Sequence, residues 1–285
     1  MIARLRPPQQ GEASLRVDYV DGASAVTHAR AHNPSRWLIP TARGRAAWAC
    51  LASFGGGIVS GDRISVSIEL GEHACIWLGT QASTKVYKAA DATARATQEF
   101  AVSIGSNALL VALPDYTTCF ADARFHQRQT VSLADTGSIA WLEWYSSGRR
   151  ANRERWAFAE LASHTVIERA GQRLLTDGLL LNDVGLGTVA ERMGEWDAIA
   201  SVTLLGPQLH ELAQQLLHTP PRDEHCLHSI SEACSAASRH WYPYSARIRG
   251  DGGFRFLLLT QQNERGGWRV ERGGRRGSSD AAGKH

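Results

Sequence analysis

The stretch Val66–Gln81, VSIELGEHACIWLGTQ, decides the fold class. Val66, Ile68 and Leu70 alternate with Ser67 and Glu69, the period of a strand with one buried face. A polar turn at Gly71-Glu72-His73 follows, and Ala74–Leu78 then runs apolar before the polar close Gly79-Thr80-Gln81. That second half lacks the two-residue alternation, so it calls for cover on both faces. Two later stretches repeat the plan: EFAVSIGSNALLVALPDY (99–116) and TVSLADTGSIAWLEWYS (130–146). Their turn glycines, Gly71, Gly105 and Gly137, lie 34 and 32 residues apart. Recurrence at that interval predicts stacked supersecondary units; three unrelated hairpins in a sandwich would give the same pattern.

Working outward, LRVDYV (15–20), AAWACLASF (46–54) and ISVSIEL (64–70) read as further strands, and YSARIR (244–249) and FRFLLLT (254–260) as weaker ones. A helix is predicted over PQLHELAQQLLH (207–218), with Pro207 in its first turn, leucines at helical spacing, and a stop at Thr219-Pro220-Pro221. The run 222–240 reads as a polar linker. The expected fold is mainly β: a stacked-strand, β-helix-like two-layer architecture with one or two short helices late in the chain. It forms one domain over 1–260, and a Gly/Arg-rich tail over 261–285 is expected to be disordered.

Composition narrows the function classes. Of 285 residues, 43% are hydrophobic and 21% charged, an ordinary globular balance. No apolar run approaches the roughly 18 residues of a membrane span, and MIARLRPPQQ has no signal-peptide core. Five cysteines without framework spacing point to thiols in a reducing cytoplasm. The net charge of +3 comes from the tail: from Arg265 onward six Lys/Arg face two acids, which leaves the remainder at −1. A nucleic-acid partner is therefore not expected, nor is a membrane.

GTQASTKV (79–86) has the spacing of a phosphate-binding loop, but Thr84 replaces the second Gly and Val86 the metal-binding hydroxyl. It is not a nucleotide site. What remains is Lys85 and Tyr87 on one strand face, with Lys88 beyond: either a lysine-guarded sheet edge or a partner surface.

The run TQASTKVYK (80–88) resembles the TQAATKVYR signature of the urease accessory protein UreD (UreH) family. FGGGIVSGD (54–62) is similar to that family's GGLVGGD block, LPDYTTCFADA (113–123) to its PD/PE…F-x-x-A segment, WLEWYSSGRRANRERW (141–156) to its W-E/D-W…GR-x-A-x-GE stretch, and LLGP (204–207) to its pre-helix LGP. The resemblance spans roughly residues 33–218. It implies a β-rich, helix-poor fold and a non-enzymatic role in urease maturation. In that role the chain would bind apo-urease together with UreF and the GTPase UreG, and help bring Ni²⁺, and CO₂ for lysine carbamylation, to urease. No tightly bound cofactor is implied, only transient Ni²⁺. The chain departs from the pattern at Arg153, where the family has Gly, and at Ser60 and Ser83. An Arg153 held at positive φ would be strained by about 1 kcal/mol.

Nickel in transit needs sparse, exchangeable ligands. Asp62, on a Gly-rich loop, is one candidate, or else a turn Asp bonding its own backbone. Glu143, between Trp141 and Trp144, is the other; a buried carboxylate needs a partner such as Arg149, or the wall of a polar passage. Arg149 and Glu154 are further partner-surface candidates, with Glu154 close enough in sequence to pair with Arg149 or Arg155. His225, Cys226 and His228 form a possible metal cluster without the regular spacing of a zinc site, so a polar linker reading stands beside it. The competing class is a mostly-β hydrolase or carbohydrate-active enzyme using paired carboxylates drawn from Asp62, Asp115, Asp122, Glu143 and Glu154.

Overall fold

The structure is a computed structural model; it describes residues 11–42, 44–185 and 187–217, and the backbone of 226–232, 244–248 and 254–260. In chain order the strands are β1 (Glu12–Val20), β2 (Ala23–Ala31), β3 (Ser35–Leu38), β4 (Ala47–Ser53), β5 (Arg63–Leu70), β6 (Cys75–Thr80), β7 (Thr84–Val86), β8 (Ala96–Ile104) and β9 (Leu109–Ala112). They continue with β10 (Thr117–Cys119), β11 (Arg124–Leu133), β12 (Ser138–Ser146), β13 (Glu160–Arg169) and β14 (Gln172–Asn182). Helix α1 (Val189–Met193), β15 (Ala198–Leu205), α2 (His210–Leu217), β16 (Cys226–Glu232), β17 (Tyr244–Ile248) and β18 (Phe254–Thr260) complete the chain.

Two sheets face each other. One runs β17-β14-β13-β11-β8-β5-β1-β2; the other runs β16-β18-β15-β12-β9-β6-β4-β3, with β10 and β7 attached beyond β12. The chain alternates between them: β5 to β6, β8 to β9, β11 to β12. Each passage adds one strand to each sheet in parallel register. This is the β-helix-like stacking expected from the repeat, and it produces ladders of like residues. In the first sheet Leu15, Ile68, Val102, Val131 and Ile167 stand side by side. In the second, Ala47, Ile76, Leu110, Ile139 and Leu205 do the same. Both ladders are buried, and they form the centre of the core. Strand β5 shows the predicted alternation without exception, and the cover wanted by the second strands comes partly from Leu209 in the turn before α2 and from Ala213 of α2, which pack on Ala140 and Leu204.

The register corrects the assignment of turn glycines. Ile68 pairs with Val102, 34 residues on, but Val102 pairs with Val131, 29 on. Gly71 and Gly105 are equivalent, whereas Gly137 precedes Ser138, the partner of Leu109, and so matches Ala108. Gly105 is required by approach between coils: a Cβ there would stand 2.9 Å from the Leu70 carbonyl oxygen and 3.0 Å from the Gly71 carbonyl carbon. A second correction falls in the run 222–240. It contains β16, which pairs antiparallel with β18, so an edge strand replaces part of the expected linker. The tail 261–285 lies outside the described residues.

Candidate functional site

The four sequence blocks from 54 to 156 come together at one end of the sandwich. Thr84–Val86 pairs in parallel with Thr117–Cys119, which pairs in turn with Tyr145–Ser146. Ile58 bridges to Val86, with Ile58 N–H donating to the Lys85 carbonyl (2.7 Å) and Tyr87 N–H to the Ile58 carbonyl (2.9 Å). The Gly-rich block therefore lies directly on the TQASTKVYK run. Gly57 explains the need for glycine there: a Cβ would meet the Lys85 carbonyl at 2.5 Å, the Tyr87 ring at 2.7 Å and the Lys85 Cβ at 3.0 Å. Lys85 and Tyr87 thus share the face expected of them.

From that face a line of contacts crosses the surface. Tyr87 meets Phe120 edge-on, with ring centres 5.2 Å apart. The Arg149 guanidinium sits 4.1 Å over the same Phe120 ring, an arrangement that attracts a cation to the ring face. Arg149 clasps Glu154 through both oxygens, one at 2.8 Å from Nε, and Glu154 also accepts from Ala121 N–H at 3.2 Å. The Arg149 hydrogen bond, foremost, holds the Glu154 carboxyl below its ordinary range. Beside this line Lys88 pairs with Asp122 at 2.8 Å. Lys85, Tyr87, Lys88, Arg149 and Glu154 are therefore neighbours on one end of the molecule.

The loop 147–156 that carries Arg149 and Glu154 is anchored by Asp197, a residue the sequence did not single out. Asp197 is buried and receives Arg150 and Arg155, each at 2.7 Å, while Ser147 N–H donates to its carbonyl at 2.6 Å. Arg155 thus belongs to Asp197 rather than to Glu154. Arg153 takes φ 59°, ψ 22°, the left-handed conformation suited to the family's Gly.

Glu143 is not paired with Arg149; Arg149 is committed to Glu154. Because side chains alternate along β12, Glu143 points between the sheets with Trp141 and Tyr145, and it is 8% exposed. Oε1 accepts from Gln129 Nε2 (3.0 Å), Tyr145 OH (3.1 Å) and Ser163 Oγ (2.5 Å); Oε2 accepts from Thr165 Oγ1 (2.9 Å). These are all neutral donors. Burial first, and the adjacent Glu143 charge second, push the Tyr145 phenol well above its ordinary value. Asp177, also buried, opposes Thr165 across the β13–β14 pair and extends this polar layer. The layer left a trace in the sequence: Gln129, Ser163 and Thr165 occupy inward positions of strands whose other inward residues include Val131, Leu133, Leu161 and Ile167. Which sheet partner they would meet was not readable.

A cavity of about 190 Å³ lies against this layer; its lining includes Trp37, Phe100, Trp141, Glu143 and Tyr145, and Thr80–Lys85 and Asp115 toward the surface. Asp62 is not among its lining residues. Its Oδ2 accepts from Val59 N–H at 2.9 Å, so it closes its own turn. Asp115 is held by Thr80 at 3.1 Å. Of the five carboxylates considered for a hydrolase, Glu143 and Asp115 line this cavity, while Asp62 is held by its own turn, Asp122 by Lys88 and Glu154 by Arg149. His225 lies outside the described residues, and Cys226 and His228 are described only as backbone positions on β16. Among the described residues no group of three or more His, Cys, Asp or Glu side chains is arranged to hold a metal ion, and no helix is long and apolar enough to cross a membrane.

A scaffold of stacked strands whose sequence blocks build one surface end is the arrangement expected from the resemblance to the UreD family. Comparison with known proteins agrees: the model of the UreD urease accessory protein family matches residues 9–254, and the chain belongs to that family. It is 38% identical to the urease accessory protein UreD of Sorangium cellulosum, over 80% of this chain and 72% of the relative. It is 37% identical to urease accessory protein D of Oryza sativa subsp. japonica (73% and 69%), and 30% identical to an uncharacterized ureD-like urease accessory protein of Schizosaccharomyces pombe (73% and 75%). Membership places the chain in urease maturation as a non-catalytic accessory protein and sets the hydrolase alternative aside.

Proposed function

We propose that this chain is a docking scaffold of urease maturation. It binds apo-urease with UreF and the GTPase UreG in the cytoplasm and helps deliver Ni²⁺ to urease, with the metal as cargo rather than as a resident cofactor. The observation that carries this reading is the convergence of four family-like blocks on one end, where Lys85, Tyr87 and the clasped Arg149–Glu154 pair form a single surface. Side chains that only stabilised the sandwich would not need to gather outside its core. Glu143 is the stronger of the two metal-transit candidates. It lines a cavity beneath that surface, whereas Asp62 is engaged by its own turn.

The test is capture of apo-urease, UreF and UreG by the tagged full chain, followed by nickel-dependent activation. Lys85→Glu should abolish or strongly weaken capture while the chain stays folded. Glu143→Gln, assayed at saturating partner concentrations, should lower activation of the assembled complex. Full capture by Lys85→Glu, Tyr87→Ala and Arg149→Ala alike would remove the docking surface from this end.

A further inference from the structure

Glu143 poses a problem that the docking role leaves open. A carboxylate taken out of water is costly unless a positive charge compensates it, yet its four donors are neutral and, among the described residues, no Lys, Arg or His pairs with it. Oε2 accepts a single hydrogen bond, which leaves capacity for another donor. The space beside it is walled by aromatic rings. Phe100 and Trp141 meet edge-on at 5.7 Å, and Trp37 and Tyr145 complete the enclosure. A second carboxylate, Asp115, lines the same cavity toward the surface. At about 190 Å³ the space is well above what a single water needs, enough for the head of one long side chain.

Aromatic rings around a space with a carboxylate at its base suit an organic cation. Guanidinium suits it better than ammonium: it is flat, sheds water more readily, and presents paired N–H groups to a carboxylate. We propose that this cavity takes an arginine side chain from a partner protein, with its guanidinium bound to Glu143 between the rings. Lys85 also lines the cavity toward the surface but does not pair with Glu143; docking then supplies the positive charge at Glu143 itself, and recognition at this end is read by an inserted arginine as well as by surface contacts. That the donor is a urease-maturation partner rests on the docking role proposed above; the receptor itself does not.

The experiment uses the full chain carried on a soluble fusion partner, titrated with N-acetyl-arginine amide and with its uncharged isostere N-acetyl-citrulline amide, and followed by tryptophan fluorescence and calorimetry. The arginine amide should bind about tenfold or more tightly than the citrulline amide, and Glu143→Gln should erase that preference. If Glu143→Gln is misfolded by circular dichroism, Asp115→Asn at the mouth is read instead, with an expected several-fold weakening. Equal binding of the two amides, no binding of either, or a preference unchanged in the folded variants would overturn the proposal. A chain that prefers the arginine amide yet captures no urease component would sink the maturation role and leave the receptor standing.

Discussion

Replacing Glu143 by Ala removes the acceptor at the centre of the interior polar layer, and the structure sets the size of the effect. Four donors lose their carboxylate: Gln129 Nε2, Tyr145 OH, Ser163 Oγ and Thr165 Oγ1. Thr165 has an alternative, since the Gln129 Oε1 atom lies 3.0 Å away; for Ser163 the same atom is 3.5 Å away, a marginal bond. Two to three donors are therefore left without an acceptor, at about 1–3 kcal/mol each. Removing the buried charge and letting water in from the adjoining cavity offset part of that, so the net loss should be about 3 kcal/mol. Glu143→Gln keeps one acceptor oxygen and should cost about 1 kcal/mol, the difference between charge-assisted and neutral hydrogen bonds. Urea unfolding followed by tryptophan emission reads both variants, because Trp141 and Trp144 flank the site. An Ala variant within about 0.5 kcal/mol of wild type, with unchanged slope, would refute the claim that this carboxylate is held by the hydrogen bonds described.

Other predictions address separate parts of the structure. Gly105→Ala sets a Cβ against the backbone of the neighbouring coil, and should cost about 1–3 kcal/mol in the same unfolding assay. Arg153→Gly relieves a left-handed residue at an exposed turn; the midpoint should rise by the equivalent of roughly 0.5–1 kcal/mol, less the extra backbone entropy of glycine. Asp197→Ala should cost about 1–3 kcal/mol by removing the acceptor of two partly exposed arginines, and limited proteolysis should then cut within 147–156. His126 Nε2, 2.6 Å from Glu160, chiefly lowers the Glu160 carboxyl below its ordinary 4.5. The stabilisation this brings is complete above pH about 4.5 and is lost as pH falls through the lower folded value. His126→Ala should therefore lose less stability than wild type between pH 5 and 3.

The strand period and the order of the blocks were legible because they are local. Val66, Ile68 and Leu70 announce a half-buried strand with no knowledge of what lies beside it. The coil register was not local. A glycine marks each of three turns, but Gly137 serves a different turn position from Gly105, and only the pairing of Val102 with Val131 shows it. The partner of Glu143 was equally hidden, since it depends on which residues of β11 and β13 face β12 across the core. Asp197, some forty residues from the arginines it anchors, gave no signal for the same reason. The strand Cys226–Glu232 reads as polar linker because its evidence is a hydrogen-bonded neighbour, β18, rather than an apolar period.

The nickel content and activity of urease from cells lacking this chain, grown at limiting nickel, show whether it serves urease maturation. Urease should be metal-poor and inactive, restored by the wild-type chain and not by Lys85→Glu. Fully metallated, active urease in its absence would contradict a maturation role for this protein.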